Sequence, residues 1–103
     1  MTDRELLQLA AKAAGLEFNN KRSTPTTDAL YLGPHGGWWN PLTDDGDALR
    51  LAVKLGLVVD CSRPSAGKPF KQHAIWVDET CDNATLTRRA ITRAAAEIGR
   101  NMP

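Results

Sequence analysis

Apolar residues recur at helical spacing in three places along this 103-residue chain. Leu6, Leu7, Ala10, Ala13 and Ala14 form the first stripe. Thr2 stands before it with Glu5 three residues on, the pattern in which a hydroxyl and a carboxylate satisfy each other's orphan N–H groups, and Gly15 follows as a natural stop. The second helix is expected to start near Thr43 or Asp44. It buries Leu49, Ala52, Val53 and Leu55 and ends at Gly56. The third starts near Asp82, presents Leu86, Ala90, Ile91, Ala94, Ala95 and Ile98 on one face, and ends at Gly99.

Between the helices the pattern shifts to shorter apolar runs. "LEF" (Leu16 to Phe18), "ALYLG" (Ala29 to Gly33), "LVVDC" (Leu57 to Cys61) and "QHAIWVDE" (Gln72 to Glu79) predict strands. Helix, glycine, leucine and strand follow one another twice, in "AAKAAGLEF" and "AVKLGLVVD", which predicts one turn chemistry used twice. Residues 19–28 and 62–71 are polar or proline-bearing and predict loops, the second a hairpin connection; neither has the length of an interdomain linker. The order predicts one α+β domain over residues 1–103, a small layered fold of three helices packed on a 3–4-stranded sheet. Whether the helices cover one face or both is left open by the pattern.

Composition narrows the function. Hydrophobic residues are 42% of the chain, enough for a small core. The net charge is +1, with 13 basic and 12 acidic side chains, without the excess of a dedicated nucleic-acid module. No apolar run approaches the roughly 18 residues of a membrane span, and the N-terminal stretch lacks a leader's apolar region. A cytoplasmic protein without membrane partners is the expectation, with Cys61 and Cys81 as free thiols.

The most unusual stretch is "HGGWWNPLTDDGDALRLAVKLG", His35 to Gly56. Asp44, Asp45 and Asp47 suggest a divalent cation, yet D-D-G-D lacks the alternating ligands and distal glutamate of a calcium loop. Carboxylates at a helix N-terminus have a simpler role, accepting from orphan N–H groups beside the positive end of the helix dipole. Trp38 and Trp39 are the candidate partner-binding residues: in extended backbone they point to opposite sides, so one enters the core and its neighbour meets solvent. "SAGKP" lacks the first glycine of a phosphate loop and has Pro69 where magnesium would need a hydroxyl. His35, Cys61, His73 and Cys81 are too widely spaced for a structural zinc site, and nothing marks Cys61 and His73 as an activated nucleophilic pair. No metal, cofactor or catalytic residue is therefore expected.

In the last helix, Arg89, Arg93 and Arg100 share one side with Arg88 close by. Such a stripe can touch phosphate and is also the ordinary outer face of a helix. It makes nucleic-acid binding the alternative function, and a metal-dependent hydrolase built on the three aspartates a second alternative.

"WWNPLTDDGDALRLAVKLGL" together with "TRRAITRAAAEIGR" resembles a family of small uncharacterised phage and prophage proteins with a phage α-β-α (ABA) sandwich domain. The similarity runs through the central and last helices and leaves out residues 19–32 and 62–73. It implies a phage origin in a bacterial host cell and helices on both faces of the sheet, an α-β-α sandwich; it implies no catalytic residues. The leading expectation is a non-catalytic accessory protein that binds a host or phage protein.

Overall fold

The computed structural model describes residues 2–18, 29–33, 36–69, 74–75 and 82–103. Among them lie three helices, α1 (Asp3–Ala13), α2 (Asp45–Leu55) and α3 (Asn83–Arg100), and five short strands, β1 (Leu30–Tyr31), β2 (Trp38–Trp39), β3 (Val58–Asp60), β4 (Ser65–Gly67) and β5 (Ala74–Ile75). The chain is a small α+β domain, as the pattern predicts.

Each helix starts where its polar signal stands. The Thr2 hydroxyl accepts from the Glu5 N–H at 3.2 Å, the Asp44 carboxylate from Asp47 N–H at 2.8 Å, and the Asp82 carboxylate from Thr85 N–H at 2.7 Å. Caps of this kind contribute about 1 kcal/mol each. The repeated glycine-leucine turn is also present. Gly15 and Gly56 sit at φ +70° and +64°, which favours a residue without Cβ, and the next N–H returns to the helix: Leu16 to Ala11 O and Leu57 to Ala52 O, both 2.9 Å. After Gly56 the chain enters β3. After Gly15 it does not: Leu16 to Phe18 form no strand, and Leu16 and Phe18 lean on the core without sheet partners.

The strands make two antiparallel sheets. β1 and β2 form a hairpin with Leu30 opposite Trp39 and Tyr31 opposite Trp38. The other sheet has the order β3-β4-β5, with Val59 opposite Ala66 and Ala66 opposite Ala74. Its middle strand falls in the segment expected to be loop. Ser65, Ala66 and Gly67 carry little β propensity, but their small side chains let α3 lie close over them, and Ser65 and Ala66 are buried. The turn before β4 is built by Asp60, whose Oδ1 accepts from Ser62 N–H, Ser62 Oγ and Arg63 N–H at 2.9, 2.7 and 3.1 Å. Of the expected strand from Gln72 to Glu79, residues 74 and 75 are described and pair as β5; the rest lies outside the described residues.

The core joins Leu7, Ala10, Ala11 and Ala14 of α1, Leu30 and Trp39 of the hairpin, Ala48, Leu51 and Ala52 of α2, Ala66 of β4, and Ala90, Ile91 and Ala95 of α3. Two expectations change here. Leu49 and Val53 do not line the buried side of α2; they are 63% and 72% exposed, while Ala48, Leu51 and Ala52 turn inward. Gly99 does not end α3. The helix continues to Arg100, and Gly99 is buried where α3 crosses α1, against the Leu9 and Ala13 backbone.

Candidate interaction surface

The stretch from Trp38 to Asp47 is locked by a small set of hydrogen bonds. Asn40 Oδ1 accepts from Leu42 N–H at 2.9 Å, and its backbone oxygen accepts from Thr43 and Asp44 N–H at 3.2 and 2.9 Å. Its own N–H donates to Asp47 Oδ2 at 2.9 Å. Pro41 fixes the turn and is fully buried. The tryptophans are thereby held in extended backbone directly before a capped helix, and the two rings part as alternation requires. Trp39 is 5% exposed, opposite the fully buried Leu30. Trp38 is 48% exposed. It packs against Tyr31 across the hairpin, ring centroids 5.0 Å apart and tilted by 60°, an arrangement favoured by ring quadrupoles. A half-exposed indole held by a second aromatic ring has little side-chain freedom left to lose.

The three aspartates have separate tasks. Asp44 caps α2. Asp47 accepts from Asn40 N–H and pairs with Arg50 at 2.7 Å. Asp45 pairs with Arg88 of α3 at 2.6 Å. Among the described residues no three histidine, cysteine or acidic side chains gather as a metal site. His35, His73 and Cys81 lie outside the described residues; Cys61 is an exposed free thiol.

The arginines of α3 are divided between neighbours. Arg88, with a side chain 17% exposed, donates to the Leu42 carbonyl at 3.0 Å, Asp45 at 2.6 Å and Thr85 Oγ1 at 3.1 Å, fastening the start of α2 to α3. Arg89 turns to α1 and pairs with Asp3 at 3.0 Å. Arg93 and Arg100 are exposed, Arg100 beside Glu97 at 3.7 Å. Arg88 and Arg89 thus tie α3 to its neighbours.

Among the described residues two acid groups are shifted. Asp60 is held below the ordinary carboxylate value by the Ser62 hydroxyl first, then by the Arg63 and Ser62 N–H groups. Asp82 is held below it by the Thr85 N–H first, then by the Thr85 hydroxyl. Both are turn or cap carboxylates whose charged form is hydrogen-bonded.

No motif of the sequence marks the groove between α2, α3 and β3. It has a volume of about 440 Å³; Leu49, Ala52, Val59 and Ile91 give it apolar walls, and Asp45 and Arg88 line it too. Thr87 Oγ1 is buried beside it without a hydrogen-bond partner among the described residues. The available signal was the breadth of the apolar arc on α2: Ala48, Leu49, Leu51, Ala52, Val53 and Leu55 cover more than the face a helix needs to pack on one side.

Compared with known proteins, the chain matches no family model, no curated protein and no solved structure. The phage resemblance therefore rests on the two sequence stretches that carry it. Among the described residues no helix is long and apolar enough to cross a membrane.

Proposed function

We propose that this chain is a non-catalytic binding module, a phage or prophage accessory protein that acts in the bacterial cytoplasm on a host or phage protein. The observation that carries the reading is Trp38, half exposed, fixed by Tyr31 and set on a hairpin joined to a capped helix. Covering the exposed half of an indole removes on the order of 100 Å² from water, worth roughly 2–3 kcal/mol. That is the size of a single dominant contact in a protein interface.

The test is affinity capture from bacterial host lysate, with wild type and Trp38→Ala compared side by side. A specific partner retained by wild type and lost by the variant supports the reading. A partner retained equally by both removes Trp38 from the interface. Trp39→Ala is unsuitable as a control because it opens the core.

A further inference from the structure

We infer that the outer face of α2 is a self-association surface, and that two copies of this chain pair there with their α2 helices antiparallel. Five large apolar residues are exposed among the described residues, and three of them, Leu49, Val53 and Val58, fall within ten positions on α2 and β3. Asp45, Leu49 and Val53 stand four residues apart and form one ridge along the helix. The apolar groove runs beside that ridge, with Leu49 on its border. The exposed faces of α1 and α3 carry no large aliphatic side chain of this kind.

Charge selects the second copy as occupant. Among the described residues, the N-terminal end of α2 holds three carboxylates, Asp44, Asp45 and Asp47, against two guanidinium groups, Arg50 and Arg88, so it is net acidic. The C-terminal end holds Lys54 in the last turn and Lys68, whose Nζ donates to the Leu55 carbonyl. An acidic end, an apolar middle and a basic end complement themselves when a second helix lies antiparallel. A two-fold axis between Leu49 and Val53 places Leu49 of one copy on Val53 of the other. It also brings each acidic end beside the other copy's lysines and opposes the helix dipoles. The helix is about 16 Å long, so even with Val58 the contact falls among small interfaces, below about 1,200 Å² in total. A weak, concentration-dependent dimer is the consequence.

Sedimentation velocity over a concentration series tests this, with circular dichroism as a check on folding. Wild type should pass from monomer to dimer as concentration rises, and the dimer should weaken with salt. Leu49→Glu with Val53→Glu should raise the dissociation constant at least about a hundredfold, because carboxylates would be buried in the contact. Both positions are mostly exposed, so the helical signal should be unchanged. Trp38→Ala should leave the dimer intact, which separates this surface from the proposed protein-binding one. Mixing Leu49→Cys and Val53→Cys chains, each with Cys61 and Cys81 replaced by serine, should yield mixed disulfide dimers in preference to like-with-like pairs. A chain that stays monomeric at every concentration overturns the inference. So does a dimer indifferent to the two glutamates, or a crosslink preference for like pairs.

Discussion

Gly99 allows a sharp test of how α1 and α3 are held together. It lies inside α3, where alanine has the higher helix propensity by about 1 kcal/mol, so local reasoning predicts that Gly99→Ala stabilises. The tertiary structure predicts the reverse. A Cβ at this position would overlap the Leu9 carbonyl oxygen and stand 2.9 Å from the Leu9 carbonyl carbon and 3.3 Å from the Ala13 nitrogen. Carbon atoms prefer about 3.5–4.0 Å, and the obstacle is α1 backbone, which cannot rotate aside. The overlap with the Leu9 oxygen governs, and the two helices would have to part by at least about 1 Å at the crossing. A gap of about that size forfeits a quarter to a half of each dispersion contact across it. Leu6, Leu7, Ala10 and Ala11 of α1 and Ala95 and Ala96 of α3 are buried, and the two helices pack closely on each other. Overpacking of this kind costs typically 1–3 kcal/mol. Taking the upper figure against backbone, less about 1 kcal/mol of propensity, gives a net loss of about 2 kcal/mol. For a domain of this size that is a fall of about 8–16 °C in Tm. Gly46 of α2 is the matched control. Its Cβ would stand 3.2 Å from the Arg50 guanidinium, which can swing aside, and 3.2 Å from the capping Asp44 Oδ2, a crowding of a few tenths of an ångström against side chains and not backbone, so Gly46→Ala should change stability by less than about 1 kcal/mol. Thermal and urea unfolding of both variants decide the matter. A Gly99→Ala chain as stable as wild type would refute the close-crossing argument.

Three further outcomes follow from the same geometry. Trp39→Ala should cost about 3–5 kcal/mol in urea unfolding as a core truncation, whereas Trp38→Ala, with half of its indole already in water, should cost roughly half as much, for the buried half and the ring pair with Tyr31; equal losses would contradict the assignment of core and surface rings. Arg88→Ala should destabilise by about 1–3 kcal/mol because the Leu42 carbonyl and Thr85 lose their donor, while Arg100→Ala, at an exposed pair, should change stability by less than about 1 kcal/mol. For Asp82, whose folded value is depressed, the charged cap contributes fully above the ordinary aspartate value of 3.8 and is lost as pH falls through the lower folded value; Asp82→Asn retains a capping oxygen and should flatten the acid limb of a Tm–pH curve, and an unchanged slope would count against the cap.

Much of the fold was legible because the relevant signals are local. Thr2, Asp44 and Asp82 lie within three residues of the N–H groups they satisfy, so spacing along the chain suffices to place three helix starts. Gly15 and Gly56 announce their turns for the same reason. The split of Trp38 from Trp39 was also readable, since alternate residues of extended chain face opposite ways; which ring goes inward was not. That depends on Leu30, eight or nine positions earlier and on another strand. β4 escaped because Ser-Ala-Gly has no strand signature, and its place in the sheet comes from partners on both sides and α3 above.

By itself, then, the amino-acid sequence determined the three capped helix starts, the two glycine turns, the α+β class and the opposite facing of the two tryptophans. Those are consequences of hydrogen bonds and periodicities that span a few residues. Tertiary structure decided everything that depends on competition between surfaces. The apolar arc of α2 offers two overlapping stripes with the same period, and only packing against α3, the hairpin and the sheet turned Ala48, Leu51 and Ala52 inward and left Leu49 and Val53 in solvent. Only the crossing of α1 and α3 gave Gly99 its role, because a missing Cβ matters where another backbone occupies its place.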